Sequence, residues 1–195
     1  MNQRGKEIHL ARLKDPDCKR CSLYRSTKHV CILGKGNVMS SIVLVGEAPG
    51  AAEEKTGKPF MGRAGKLLDR LLTSLNLQDK VYITNPVHCR PPDNRKPTKK
   101  EIEACRIYFD GELNIVKPKV IILMGRTAIE AYGFGSEVNA GTKPFLFDDT
   151  WYIISTWHPS YCLRRGKAAT HDLLKALRCA KEQLKYDNKT MFTLH

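Results

Sequence analysis

A chain of 195 residues is long enough to bury most of the surface its unfolded form exposes, and it fits one compact domain, residues 1–195. Its 33 Lys and Arg against 20 Asp and Glu give a formal charge of +13, which favours a polyanionic partner without separating DNA from RNA. No stretch approaches the roughly 20 apolar residues that span a bilayer, and the opening MNQRGKEIHLARLKDPD has no apolar core of signal-peptide type, so the expected setting is a reducing cytoplasm with no membrane partner.

The first patterned element is a C-x-x-C pair, Cys18 and Cys21. Two-residue spacing turns both thiolates toward one ion or cluster, and a distant pair, Cys89 and Cys105, can complete a four-thiolate site. In a reducing compartment metal ligation explains such cysteines better than disulfides do; buried free thiols are the plain alternative, and they are the default for Cys179. Cys31 and Cys162 also fall outside the set of four.

Four short runs rich in β-branched residues then read as buried strands: Ser41 to Val45, Val81 to Thr84, Val120 to Met124 and Tyr152 to Ser155. Helical periodicity follows the first three, clearest in Leu67, Leu68, Leu71, Leu72 and Leu75. Strands alternating with helices predict a three-layer α/β/α sandwich around a central four-stranded, mainly parallel sheet. Leu173, Leu177, Ala180 and Leu184 predict a closing amphipathic helix, followed by a flexible tail from about residue 187.

In such a sheet ligands bind beyond the carboxyl ends of the strands, so the residues just after each strand carry the chemistry. They are Gly46-Glu47-Ala48-Pro49-Gly50, Asn85-Pro86, Gly125-Arg126-Thr127 and Thr156-Trp157-His158-Pro159-Ser160. Independent loops thus bring a carboxylate, an amide and an imidazole to one rim.

At these residues the chain resembles the uracil-DNA glycosylase superfamily, specifically its iron-sulfur branch, family 4. GEAPGAAEEKTGKPFMGRAGKLL, ITNPVHCRPPDNRKPT with Cys105 beyond it, and HPSYCLRR occur in the family's order, and the likeness covers nearly the whole chain. The resemblance implies an enzyme that flips deoxyuridine out of single- or double-stranded DNA, hydrolyses its N-glycosidic bond and leaves an abasic site for base excision repair. It also implies a structural 4Fe-4S cluster on Cys18, Cys21, Cys89 and Cys105. The chain is expected to act as a monomer.

The residue types fit that work. Phe60 offers a face on which a pyrimidine can stack, and otherwise reads as a core phenylalanine. Asn85 can donate to uracil O4 and accept from N3–H, a pattern cytosine reverses; its plain reading is a turn or cap before Pro86. His158 can donate to uracil O2 as charge develops on the departing base. Glu47 can stabilise the cationic sugar or orient the attacking water, with Glu53 and Glu54 as alternatives for the water. Gly46 completes the expected uracil-binding set. DNA contacts fall to Arg63, Lys66, the Arg90/Arg95/Lys96 stretch, Arg164, Arg165, Lys167 and Ser160, with Leu163 or its rival Arg164 as the wedge that fills the vacated stack.

Two departures from the family pattern bear on substrate range. His88 precedes Cys89 where a lysine is expected, and Tyr161 and Cys162 follow Ser160 where smaller or aliphatic residues are commoner; all three are expected beside the pocket or the DNA channel. PPDNRKPT lacks the histidine through which a related branch links covalently to the abasic sugar. Two non-catalytic readings share the thiolates: an iron-sulfur DNA-binding module and a zinc-stabilised domain.

Overall fold

The computed structural model describes residues 1–135, 145–147 and 151–184, so the expected tail from about residue 187 lies outside the described residues. The four predicted strands form, as β2 (Ile42–Val45), β3 (Val81–Thr84), β4 (Val120–Met124) and β6 (Trp151–Thr156), all mutually parallel. Among the described residues the sheet nevertheless has six strands rather than four. Two short antiparallel strands, β1 (Lys35–Gly36) on β3 and β5 (Phe145–Phe147) on β6, cap its edges and give the order β1-β3-β2-β4-β6-β5. Two residues of β1 and three of β5 are too few to show an alternating pattern, so neither carries a signal in the sequence.

Among the described residues seven α-helices follow in chain order: α1 (Gln3–Leu13), α2 (Ala51–Thr56), α3 (Arg63–Ser74), α4 (Lys99–Val116), α5 (Arg126–Ala131), α6 (Pro159–Arg165) and α7 (Lys167–Gln183). Alternate strand residues feed opposite faces of the sheet. Ile42, Leu44, Val81, Ile83 and Ile122 pack with Leu67, Leu68 and Leu72 of α3 and Leu173, Leu177 and Ala180 of α7. Val43, Val45, Tyr82, Ile121 and Leu123 pack with Phe109, Leu113 and Val116 of α4 and Ile129 of α5. That is the expected three-layer sandwich, and burial on both faces explains why the strands read as continuous apolar runs. Each fully buried Leu or Ile contributes roughly 1.5–3 kcal/mol.

Local signals fix the ends of α4. Thr98 accepts from the Glu101 N–H, Glu101 returns a bond from the Thr98 N–H, and Lys117 closes the helix in the left-handed region. Inside the fold, Glu112 of α4 is fully buried and accepts from the Tyr82 hydroxyl at 2.6 Å, the Gly34 N–H at 2.5 Å and the Thr84 hydroxyl. A buried carboxylate persists only with such partners, and these tie α4 to β3 and to the chain entering β1.

Candidate active site

From β2 the chain steps to β3 on one side and later returns to place β4 on the other, so the loops after β2 and β4 diverge and leave a crevice at the carboxyl ends of the strands. A cleft of about 600 Å³ opens there. Its lining includes Glu47, Phe60, Asn85 and His158 from separate loops, and Ser160 and Arg164 from α6. Gly46 lies beneath them: a Cβ on it would stand 2.5 Å from Asn85 Oδ1 and 2.6 Å from Phe60 Cζ, so only glycine lets the amide and the ring approach each other.

Asn85 is 3% exposed, yet its side-chain amide makes no hydrogen bond among the described residues while facing the cleft. Neither polar atom of the amide is sealed from the cleft, so both its donor and its acceptor are available to the edge of a ligand. Phe60 is a buried residue held at φ 52°, with its carbonyl accepting from Lys35 Nζ at 3.2 Å and Gly65 packed directly beneath it. Its ring centroid lies 6.2 Å from that of His158, tilted by 35°.

His158 caps α6. Its Nδ1 accepts from the Ser160 N–H at 3.2 Å and lies 2.9 Å from Ser160 Oγ, so the hydrogen bonds assign the proton of the neutral ring to Nε2. The imidazole is surrounded by protein while keeping some surface open to the cleft. That burial, with the positive charge of Arg164, pushes its pKa down to about 4 and keeps the ring neutral at ordinary pH.

Three acids, Glu47, Glu53 and Glu54, are candidates to hold the water. Glu47 Oε2 accepts from the Thr127 hydroxyl at 2.5 Å, a bond that joins the loops after β2 and β4, and its other oxygen has no partner among the described residues. Glu53 also lines the cleft, but Oε1 accepts from the Met61 and Gly62 N–H groups at 2.7 and 2.9 Å, and Oε2 from Gly50 N–H at 3.0 Å. Glu54 faces away, receiving the Lys28 N–H and Arg90 at 2.6 and 2.7 Å; Arg90 holds its carboxyl below the usual range.

The basic residues divide in the same manner. Arg90 pairs with Glu54, Arg95 makes a two-pronged bond to Glu101 at 2.7 and 2.8 Å, and Lys96 pairs with Glu130 at 2.7 Å. Arg63, Lys66, Arg164, Arg165 and Lys167 are exposed and have no carboxylate partner among the described residues. Leu163 is 38% exposed but lies outside the cleft lining, in a shallow groove beside Gly166 and Leu174. Cys162 lies on the buried side of α6, its thiol directed to the Ala169 carbonyl at 3.3 Å. Thr127 and Tyr161 belong to the cleft apparatus as well. Thr127 carried no signal beyond its place in the loop after β4, and Tyr161 was visible only as a departure from the family pattern.

A second, apolar pocket gathers Cys18, Cys21, Cys89 and Cys105, together with Cys31, among Leu23, Val87 and Tyr108. The donor set is all sulfur, suited to soft iron-sulfur or zinc chemistry, although no three His, Cys, Asp or Glu side chains among the described residues converge as on a single ion. Burial pushes the Cys89 thiol up to about 12 and raises that of Cys21, so these groups need a metal to become thiolates at neutral pH. His88 corrects the sequence expectation: it lies at this pocket, not at the cleft. It is fully buried, with Nδ1 3.3 Å from Cys105 Sγ and Nε2 2.8 Å from Glu112 Oε2. Burial opposes its charge, but Cys105 and Glu112 more than offset this and push its pKa up to about 10.

Comparison with known proteins matches residues 33–180 to the uracil DNA glycosylase superfamily. The chain is 40% identical over 174 residues to a type-4 uracil-DNA glycosylase of Thermotoga maritima, covering 86% of this chain and 90% of that protein. It is 41% identical over 159 residues to one from Pyrobaculum aerophilum, covering 76% and 81% of the two chains. A third, from Archaeoglobus fulgidus, is 46% identical over 114 residues, 58% of this chain and 57% of the other.

Proposed function

The chain belongs to the uracil DNA glycosylase superfamily and is a DNA glycosylase that removes uracil; we propose the following roles for its residues in that reaction. The Asn85 amide, which makes no hydrogen bond among the described residues and opens on the cleft, carries the reading. With the side-chain nitrogen toward uracil O4 and the oxygen toward N3–H, it completes its own hydrogen bonds only when the matching base edge enters. Cytosine would leave both groups unpaired, at about 1–3 kcal/mol each. Phe60 stacks on the flipped base, and Gly46 makes room for both side chains.

Breaking the glycosidic bond leaves its electron pair on the uracil and positive character on the sugar, to which water adds with loss of a proton. Neutral His158, with its proton on Nε2, donates to the base oxygen as that charge appears. Glu47 faces the sugar or the water through the oxygen that Thr127 leaves free, whereas the Glu53 oxygens are engaged in holding Gly50, Met61 and Gly62 together. Arg63, Ser160 and Arg164 take phosphates, and Leu163 meets the duplex beside the lesion.

Cys18, Cys21, Cys89 and Cys105 would hold a 4Fe-4S cluster, whose chemistry here is a structural cross-link of the N-terminal segment to the loop after β3 and to α4. The donor set and the apolar pocket support this reading. We further read the enzyme as a cytoplasmic monomer, in keeping with seven cysteines that form no disulfide. No helix among the described residues is long and apolar enough to cross a membrane. A uracil-containing oligonucleotide incubated with the enzyme and then treated with alkali breaks at the uracil position if the site works as stated. An intact strand would leave only a binding module.

A further inference from the structure

Trp157 and Tyr161 stack on each other at the cleft, with ring centroids 4.4 Å apart and planes 21° from parallel. Two anchors fix the pair. Trp157 Nε1 donates to Asp172 Oδ2 of α7 at 3.1 Å, and Tyr161 rides on the first turn of α6, one residue beyond Ser160. The guanidinium carbons of Arg164 and Arg165 lie 5.9 and 5.7 Å from the Tyr161 ring centroid, within cation–π range. Both arginines are exposed, and among the described residues neither has a carboxylate partner.

Packing alone does not explain the pair. Both rings keep surface open to the cleft, and the Tyr161 hydroxyl makes no hydrogen bond among the described residues. A rigid aromatic double layer edged by unpaired cations is what a nucleobase with its phosphates requires: a face to stack on and charge for the backbone.

Building on the uracil-pocket reading above, we propose that the Trp157–Tyr161 stack receives the nucleobase next to the flipped uridine, while Arg164 and Arg165 hold the adjoining phosphates. Flipping strips that neighbour of a stacking partner on one face, and the aromatic pair replaces it. Every base has such a face, so the platform tolerates any flanking sequence. It matters most in single-stranded DNA, where no complementary strand holds the neighbour in place. Leu163, on the same helix but outside the cleft lining, is left to the duplex side, so the two residues divide the work.

The test uses a single-stranded oligonucleotide carrying a 2′-fluorinated deoxyuridine, which resists cleavage, with fluorescent 2-aminopurine either beside it or several nucleotides away. Wild-type protein is expected to change the fluorescence only of the adjacent probe. Tyr161→Leu should abolish that change and weaken single-strand binding at least about fivefold, whereas Tyr161→Phe should preserve it. A wild-type protein that leaves the adjacent probe unchanged overturns the platform without recourse to any variant, as does a folded Tyr161→Leu protein that keeps the full response. Uracil release from an unmodified strand is measured in parallel. Its absence refutes the glycosylase reading, a different failure from loss of the probe response.

Discussion

Replacing Thr127 by Val isolates one bond in the proposed mechanism. Valine matches threonine in shape and removes only the hydroxyl that donates to Glu47 Oε2 at 2.5 Å, at a side chain 2% exposed. Hydrogen bonds to charged groups contribute about 1.5–3 kcal/mol, so if the bond holds Glu47 in its working orientation, the chemical step should slow by about 10- to 150-fold. The assay is single-turnover uracil release with enzyme in excess, alongside binding to an uncleavable strand. We expect the rate to fall with affinity little changed, because Thr127 positions a catalytic group without touching DNA. Thr127→Ser, which restores a hydroxyl, should recover most of the rate. Wild-type single-turnover release by a folded Thr127→Val enzyme, in a background where Glu47→Ala is slow, would falsify the positioning role.

His158→Ala should slow release from every substrate by about 100- to 1,000-fold, the usual cost of removing a donor aimed at developing negative charge, and stopped single-turnover reactions measure it. Because the folded-state pKa of His158 is lowered from 6.5 to about 4, this residue leaves stability unchanged above pH 6.5 and costs stability progressively as pH falls from 6.5 toward 4; melting curves of wild type and His158→Gln across that range should converge at neutral pH and separate below it. Asn85→Asp should weaken uracil release and shift base preference, since an ionised carboxylate accepts but cannot donate; parallel uracil and cytosine strands show whether preference moves. Cys89→Ala should lower iron content and melting temperature together, and a variant with full iron and wild-type stability would remove Cys89 from the ligand set.

The layered architecture was legible in the sequence because four apolar runs and the leucine spacing of α3 and α7 state which surfaces must be buried, and burial on both faces of a sheet leaves few alternatives. The rim of the cleft was legible in part: Gly46, Glu47, Asn85 and His158 follow closely on strands, and topology carries strand ends to one rim, whereas Phe60, between α2 and α3, was legible only through the family motif. Pairings between distant segments were not legible. The Thr127–Glu47 bond spans loops that local pattern does not connect, and the same holds for the ion pairs that withdraw Arg90, Arg95 and Lys96 from the free basic face. His88 shows the difference most clearly. Its place beside Cys89 suggested the cleft, but residues following a strand diverge within a few positions, and the turn after Asn85 carries His88 inward to Cys105 and to Glu112 of α4. Sequence determined which residues are apolar, which are chemical and in what order they come. Tertiary structure alone decided which charges meet and cancel and which remain free for a ligand, because that depends on distances between atoms far apart along the chain.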